Sequence, residues 1–231
     1  MRISRFCNII SNKRVVSFDI FDTLIERKCL LPTDVFFLSA YKLYNDFEQA
    51  ASFSTLRIRS EQKAREKQNG EVTLDDIYGI IEEDNSDAET LKTLELKTEQ
   101  EVCRAKESGI TLLKEAMQNG KTVILTTDMY LPLDFIKALL DINGINGYDK
   151  IFLSCVHKKS KKTGQLFNIA MDTLNISTSD IVHFGDSIAA DLRGAQKANI
   201  ESHILLRKHY LVGAIFNKLD TYLSLKLRYK L

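Results

Sequence analysis

The chain has 231 residues, of which 44% are hydrophobic and 27% are charged, and its formal net charge at pH 7 is +1. This ordinary globular composition excludes a disordered or collagen-like chain, and the near balance of charge argues against a general nucleic-acid-binding protein. The length is sufficient for a buried core, in one domain with a large insertion or in two small domains.

Residues 1–14 contain basic side chains but only a short apolar patch. A secretory signal needs an unbroken apolar stretch of about 7–15 residues, and no stretch of the chain approaches the ~18 apolar residues of a membrane-spanning helix. The four cysteines lie far apart and form no CxxC pair, which argues against a disulfide framework or a zinc site. We therefore expect a soluble, cytoplasmic protein without a transmembrane segment.

Five short apolar runs predict strands, and each run is nearly continuous, as expected when both faces of a sheet are covered. The last four runs are separated by helical patterns at residues 133–140, 164–174 and 188–198. This alternation predicts a doubly wound, Rossmann-like α/β fold with a parallel sheet of about five strands. The predicted strands are Val15–Ile20, Val123–Thr127, Ile151–Ser154, Ile181–Phe184 and His203–Leu206.

Residues 33–118 interrupt this pattern between the first two predicted strands. They are rich in Glu, Lys, Gln and Leu, and their apolar residues recur at helical spacing. Thr73 and Asp76 have the spacing of a capping box that would open one of these helices. We expect an inserted helical domain. The predicted domains are an α/β core formed by residues 1–30 and 119–231 and the helical insertion formed by residues 31–118.

Three arginines of the insertion, Arg57, Arg59 and Arg65, are expected on solvated helix faces, with recognition of an anionic substrate as the alternative. The segment 205–231 is also basic, with Asp220 as its acidic residue. Residues 211–222 have helical spacing, whereas apolar and polar residues alternate with strand period from Leu223 onward. We expect a terminal element that packs on the core, and the alternative is a surface for a partner or for a membrane.

Acidic and hydroxyl residues stand where the predicted strands end. Asp19 ends the first strand, Thr127 and Asp128 end the second, and Asp186 ends the fourth. The carboxyl ends of parallel strands share the edge of the sheet at which such folds bind ligands. Two neighbouring carboxylates repel each other and need a cation between them, and oxygen ligands favour Mg²⁺.

A lysine-rich segment, 158–162, follows the third predicted strand, and one of its lysines could reach this edge and balance the negative charge. The hydroxyl of Thr127 and backbone N–H groups beside it could hold phosphate oxygens. Acid, hydroxyl, lysine and acid at four successive strand ends form an order that is more specific than any one of them. His183, inside the fourth strand, is expected to be a buried strand residue.

With these motifs the sequence resembles the haloacid dehalogenase-like (HAD) hydrolases over nearly its whole length, and the helical insertion takes the place of the family's cap. Lys161 is the best match to the family's lysine, with Lys158 and Lys162 as alternatives. The matched positions are Asp19 for the first-motif nucleophile, Thr127 for the second-motif hydroxyl, Lys161 for the third-motif lysine, and Gly185-Asp186-Ser187 with Asp191 for the fourth motif.

The resemblance implies a Mg²⁺-dependent phosphatase. Asp19 would attack phosphorus and form an aspartyl-phosphate, which water would then hydrolyse. Mg²⁺ would be held by Asp19, Asp186 and the backbone carbonyl of Phe21, and with the lysine it would offset charge on the transferring group. The other implied roles are phosphate binding by Thr127, Asp128 and Lys161, and support from Ser187 and Asp191, the latter by orienting the lysine.

The sequence departs from the family pattern at Phe21. Phosphatases of this family usually carry a second Asp there, which acts as general acid and base, and such proton transfer contributes about 10²–10⁴ in rate. Asp22, which stands where the usual motif has Gly, is the candidate substitute, and the alternative is that it only braces the turn. Family members that lack this second Asp include dehalogenases and phosphonate hydrolases.

The expected substrate is a small phosphorylated metabolite, either a sugar phosphate or a phosphorylated polysaccharide precursor. The first motif, Phe18–Leu24, resembles that of a capped subgroup often found beside glycosyltransferases of surface and capsular polysaccharide biosynthesis. A glycosyltransferase is therefore the protein partner to consider, and no nucleic acid is expected. The alternatives are a catalytically weak module that binds this glycosyltransferase, and a hydrolase of carbon–halogen or carbon–phosphorus bonds.

Overall fold

The structure, a computed structural model, describes residues 1–83, 85–205 and 220–229. The chain divides into two compact units, which we call the α/β unit and the helical unit. The α/β unit is formed by Met1–Glu26 and Arg104–Arg207, and the helical unit by Arg27–Cys103 and Lys208–Leu231. The chain passes between the units within two short paired strands, β2 (Ile25–Arg27) and β3 (Cys103–Ala105).

The α/β unit is built on a five-stranded sheet in which all neighbouring strands are parallel. The strands are β1 (Val15–Phe18), β4 (Thr122–Thr127), β5 (Lys150–Leu153), β6 (Ile181–Gly185) and β7 (Glu201–Ile204). Their order is β5-β4-β1-β6-β7, with β1 at the centre. The doubly wound α/β fold predicted from the apolar runs is confirmed. The last strand lies slightly earlier than predicted, and Leu206 falls outside the described residues.

Helices of the α/β unit connect these strands, and the predicted helix at residues 188–198 is divided into a π-helical turn and an α-helix. The described elements are α1 (Ile3–Ile10), α6 (Glu107–Gln118), α7 (Leu133–Ile142), α8 (Ser154–His157), α9 (Gln165–Leu174), the π-helix Ile188–Leu192 and α10 (Arg193–Lys197).

Both faces of the central strand β1 are covered, which explains its continuous apolar character. On one face, the ring of Phe18 stacks on Phe184 at 5.5 Å, and Phe6 of α1 lies 4.9 Å from Phe184. On the other face, Val15 belongs to a buried cluster with Phe167 of α9. Ser17 and Asp19 follow Val15 at the spacing of this second face. The sheet therefore presents polar residues toward α9 near the carboxyl end of β1.

The helical unit contains α2 (Asp34–Tyr44), α3 (Phe47–Gln68), α4 (Leu74–Ile81), α5 (Ala88–Val102) and a further helix, α11 (Thr221–Arg228). The predicted capping box is present at the start of α4, where Asp76 N donates to Thr73 Oγ1 at 3.1 Å and Thr73 N donates to Asp76 Oδ2 at 2.8 Å. No helix among the described residues combines the length and the apolar character that crossing a membrane requires.

The segment 220–229 differs from its prediction. We expected a terminal element that packs on the α/β core, with strand period from Leu223 onward, but residues 223–228 lie in α11 and belong to the helical unit. Leu225 is buried, Tyr229 stacks on Phe37 at 5.2 Å, and Arg228 forms an ion pair with Asp34. These contacts with α2 favour a helix over the strand period. The helical spacing noted at 211–219 lies outside the described residues.

Candidate active site

Asp19 stands directly after the central strand and is buried. Its N–H donates to Phe184 O at 2.9 Å, which extends the pairing between β1 and β6 by one residue. The chain then turns sharply, because Asp22 adopts a left-handed conformation with φ 60° and its N–H donates to Ile25 O. Phe21, inside this turn, forms an isolated bridge with Ile25. The backbone at Asp19 is therefore held by strand β6 and by the hydrogen-bonded turn that follows.

Two residues of α6 and its N-terminal flank also hold this turn, and the sequence analysis did not identify them. Lys106 is buried and its Nζ donates to Asp22 O. Gly109 lies so close to the turn that a Cβ atom there would stand 2.0 Å from Thr23 O. In the sequence, a glycine three residues after a lysine is too weak a signal to predict this contact. The close approach explains why the first turn of α6 carries a glycine here.

Lys161 is the lysine of segment 158–162 that reaches Asp19. It is 2% exposed, whereas Lys158 and Lys162 are exposed. Its Nζ donates to Asp19 Oδ1 at 2.6 Å and to Asp191 Oδ1 at 2.5 Å. Burial alone would lower the pKa of Lys161, but the carboxylates of Asp19 and Asp191 raise it above its ordinary value. The side chain therefore carries a positive charge between two acids.

The carboxylate of Asp128 holds the loop that carries this lysine. Asp128 Oδ1 accepts from Lys161 N at 2.7 Å, and Oδ2 accepts from Lys162 N at 3.4 Å. Gly194 of α10 packs against the same loop, since a Cβ there would stand 2.1 Å from Lys161 O. The carboxylate of Asp128 therefore binds the loop. Phosphate binding at this position stays a prediction, and it concerns the backbone N–H.

The fourth-motif residues follow β6. Asp186 is buried, and Asp191 lies in the π-helix. Asp191 Oδ2 accepts from Ser187 N at 2.7 Å, and Ser187 Oγ accepts from Ala190 N at 3.2 Å, so Ser187 closes the turn. The Asp191 carboxyl group covers Gly185, where a Cβ would stand 2.2 Å from Asp191 Cγ. Only glycine at position 185 lets the carboxylate return toward Lys161.

Burial alone would raise the pKa of Asp191, but Lys161 and the hydrogen bond with His183 hold it below its ordinary value. Burial raises the pKa of Asp19, and repulsion from Asp191 and Asp186 acts in the same direction, against the attraction of Lys161. A further cation beside Asp19 would lower its pKa. Cation binding and ionisation of Asp19 therefore favour each other.

The three carboxylates Asp19, Asp186 and Asp191 each offer an oxygen atom within 4.8 Å of the others. Both Asp191 oxygens already accept hydrogen bonds from Lys161, His183 or Ser187. A cation bound here would be held by the carboxylates of Asp19 and Asp186, with the Phe21 carbonyl in the adjoining turn as the further ligand that the sequence predicts. An all-oxygen donor set of this kind fits Mg²⁺.

Thr127 ends β4, is buried, and lies at the same edge as Asp19, since Phe18 stands opposite Leu125 in the register of β1 and β4. The structure thus brings Asp19, Thr127, Lys161 and Asp186 to one edge of the sheet. Asp22 is half-buried in the turn that follows Asp19. His183 Nε2 lies 3.0 Å from Asp191 Oδ1, a contact that was not predicted from the sequence.

A family model described as haloacid dehalogenase-like hydrolase matches residues 13–199. No curated protein has a significant match to the chain. The similar solved structures are too distant in sequence to show more than the fold.

One of them is the HAD-hydrolase YfnB from Bacillus subtilis bound to magnesium, with 17% identity, a TM-score of 0.59, and coverage of 84% of this chain and 87% of that one. The L-2-haloacid dehalogenase PA0810 has 13% identity, a TM-score of 0.60, and coverage of 84% and 85%. CbbY from Rhodobacter sphaeroides, in complex with phosphate, has 15% identity, a TM-score of 0.56, and coverage of 85% and 88%.

Proposed function

Because this chain belongs to the haloacid dehalogenase-like hydrolases, we propose that it is a Mg²⁺-dependent phosphatase that acts through a phosphorylated Asp19. The observation that carries the proposal is the buried acidic cluster of Asp19, Asp186 and Asp191, which Lys161 contacts at two of its members. Such a cluster suits a divalent cation together with a phosphate dianion, since the cation and the lysine offset the charge of both.

In this reaction each residue of the site would have a distinct role. A carboxylate oxygen of Asp19 forms a bond to phosphorus as the bond to the leaving oxygen breaks, and water later attacks phosphorus, which releases phosphate and restores Asp19. Lys161, held by Asp191 at 2.5 Å, and the hydroxyl of Thr127 bind phosphate oxygens. A Mg²⁺ ion bound by Asp19, Asp186 and the Phe21 carbonyl would supply neutralisation of phosphate charge.

Asp22 is the residue that we propose for the proton transfer that Phe21 cannot perform. It lies next to Phe21 in the turn, and the left-handed backbone at this position is one that Asn also tolerates. Asp22→Asn should therefore keep the turn and lose the acid. We expect turnover of alkyl phosphates to fall by about 10²–10⁴, with a much smaller loss for an aryl phosphate, whose leaving group needs no proton. Equal turnover by wild type and variant on both substrates would assign Asp22 to the turn alone.

The finer assignment of substrate rests on the resemblance of the motif Phe18–Leu24 to the capped, polysaccharide-associated subgroup. We propose a small sugar phosphate or phosphorylated polysaccharide precursor as the substrate, the helical unit as the cap, the cytoplasm as the location, and a glycosyltransferase as a protein partner. Co-purification of a glycosyltransferase with the tagged chain, compared with an unrelated tagged hydrolase, tests the partner.

Hydrolysis of a carbon–halogen bond is the second candidate, and Phe21 favours it because dehalogenases also lack the second Asp. Asp19 would then form a bond to carbon as the carbon–halogen bond breaks, and water would hydrolyse the resulting ester and restore Asp19. This reaction needs no metal, so it gives no function to the carboxylate of Asp186 near Asp19. Halide release from 2-haloacids in the presence of EDTA would support this candidate over the phosphatase.

The experiment that tests the phosphatase proposal is phosphate release from a panel of sugar phosphates and other small phosphoesters, with Mg²⁺ or with EDTA. We expect turnover by wild type with Mg²⁺ only, and a loss of about 10⁴-fold or more in Asp19→Asn, which removes the nucleophile. The matched control is Asp172→Asn, at an exposed acid of α9, which should keep full turnover. A wild type that is inactive across the panel, or an active Asp19→Asn variant, would overturn the proposal.

A further inference from the structure

A line of buried polar side chains crosses three neighbouring strands behind Asp19. Thr126 Oγ1 on β4 lies 2.9 Å from Ser17 Oγ on β1, and Ser17 Oγ lies 2.8 Å from His183 Nδ1 on β6. His183 Nε2 then lies 3.0 Å from Asp191 Oδ1, and Asp191 contacts Lys161. All these side chains are at most 2% exposed. The line therefore connects the sheet interior to the lysine that contacts Asp19.

Each hydrogen bond of this line has one direction. Burial lowers the pKa of His183, against the opposing effect of Asp191, so its ring is neutral and carries one N–H. Asp191 is ionised and can only accept, which assigns the proton to His183 Nε2. His183 Nδ1 must then accept from the Ser17 hydroxyl, and Ser17 in turn accepts from Thr126. Asp191 thus selects one tautomer of the histidine, and the two hydroxyls orient to suit it.

We propose that His183 is a positioning residue of the reaction, which orients Asp191 so that the carboxylate holds Lys161 against Asp19. This inference rests on the proposed function, and it gives His183 a task beyond packing. The ring is itself fixed by an edge contact with Phe167 at 4.8 Å. The imidazole N–H therefore donates to Asp191 Oδ1. The backbone N–H of Ser187 donates to the other oxygen, Oδ2, at 2.7 Å.

The surroundings argue against a purely structural polar line. Ser17, Thr126 and His183 lie among apolar residues of the sheet, where apolar side chains of similar volume would fill the space without desolvation of polar groups. The hydrogen bonds also lead out of the sheet interior to a residue of the site. It ends on a carboxylate whose other contacts are with site residues, so its consequence is the orientation of that carboxylate.

The test compares three substitutions that all remove the imidazole. His183→Gln keeps an N–H near the position of Nε2 and can still donate to Asp191. His183→Asn keeps a polar group only near Nδ1, and His183→Phe keeps neither. The matched control is His203→Asn on the outer strand β7, where the histidine contacts Glu201. Steady-state turnover with a saturating phosphoester is measured for each variant, with thermal unfolding to establish that each is folded.

We expect His183→Gln to retain kcat within about threefold, whereas the Asn and Phe variants lose about 10- to 100-fold, the equivalent of a hydrogen bond to a charged group. The losses should appear in kcat, with a small change in KM. Equal losses in the Gln and Asn variants, or a Phe variant with wild-type kcat, would overturn the proposal.

A spectroscopic measurement covers variants that fail to fold. Nitrogen-15 NMR of the wild-type protein reports the tautomer of His183, with assignment from the spectra of variants that replace each of the other three histidines in turn. A proton on Nε2 supports the proposal, and a proton on Nδ1 overturns it. A wild type that turns over no phosphoester contradicts the proposed function instead, and the tautomer then still supports or overturns the orientation of Asp191 by His183.

Discussion

Each unit of this protein buries charged side chains, and the two buried clusters differ in how their charges are matched. In the helical unit, Arg57 is fully buried and donates through Nε and Nη2 to the two oxygens of Glu95, both at 2.8 Å. Tyr78 donates a further hydrogen bond to Glu95 at 2.8 Å. Arg57 thus meets the carboxylate of Glu95 in a two-pronged geometry that suits both groups. Its Nη1 also donates to Glu61 Oε2 at 3.3 Å, and Glu61 pairs in turn with Arg65, so acids and arginines balance.

In the α/β unit, three carboxylates lie within 4.8 Å of one another, and Lys161 contacts two of them. The negative charge of Asp19, Asp186 and Asp191 exceeds the positive charge of this lysine. Like charges so close together are stable only if a cation or a proton joins them. Buried charge alone therefore does not imply a cation site, whereas three acids beside a single lysine favour one.

The strongest test of this comparison removes one partner of the matched pair. Arg57→Met leaves Glu95 buried without its cation, so the free energy of unfolding should fall by about 3–5 kcal/mol, as measured by urea denaturation. The control is Arg59→Met, at an exposed position of the same helix, which should change the stability by less than about 0.5 kcal/mol. A similar stability for both variants would show that the Arg57 pair contributes nothing.

A second test introduces a steric clash in the acidic cluster. Gly185→Ala places a Cβ 2.2 Å from Asp191 Cγ, so we expect a loss of about 1–3 kcal/mol in stability. Turnover should fall as well, because the displaced Asp191 no longer holds Lys161. Gly79→Ala, in α4 with no atom within 4 Å of the new Cβ, should instead stabilise by about 0.4–1 kcal/mol. Equal effects from the two changes would contradict the packing described at Gly185.

Removal of Asp186 from the acidic cluster should change the stability in the opposite direction to the change at Arg57. Asp186→Asn relieves repulsion with Asp19, so in EDTA the free energy of unfolding should stay equal or rise by about 1 kcal/mol. Urea denaturation measures this change. Asp191→Asn is the contrasting variant, since it weakens the contacts with Lys161 and His183 and should destabilise. A clear loss of stability in Asp186→Asn would contradict the repulsion between Asp186 and Asp19.

The sequence predicted the sheet well because buried parallel strands read as continuous apolar runs, and the order of motifs along the chain predicted which side chains share its edge. It failed where a contact depends on residues distant in sequence. Arg57 was expected at a solvated face, but its partner Glu95 lies on another helix. The period of Leu223, Leu225 and Leu227 suggested a strand, although Leu225 is buried in a helix.

The polar residues behind Asp19 show the same limit. Ser17 and His183 are ordinary strand residues in the sequence, and their connection to Asp191 depends on the register of β1 and β6, which sets Ser17 opposite His183. The left-handed conformation at Asp22 likewise depends on the turn around it.

The most direct test of the central claim, that the acidic cluster accepts a divalent cation beside Asp19, is calorimetric titration of the metal-free protein with Mg²⁺. The account predicts one bound ion per chain in wild type, a strong loss of affinity in Asp186→Asn, and wild-type binding in Asp172→Asn. Undetectable binding by wild type, or equal affinity in wild type and Asp186→Asn, would contradict it.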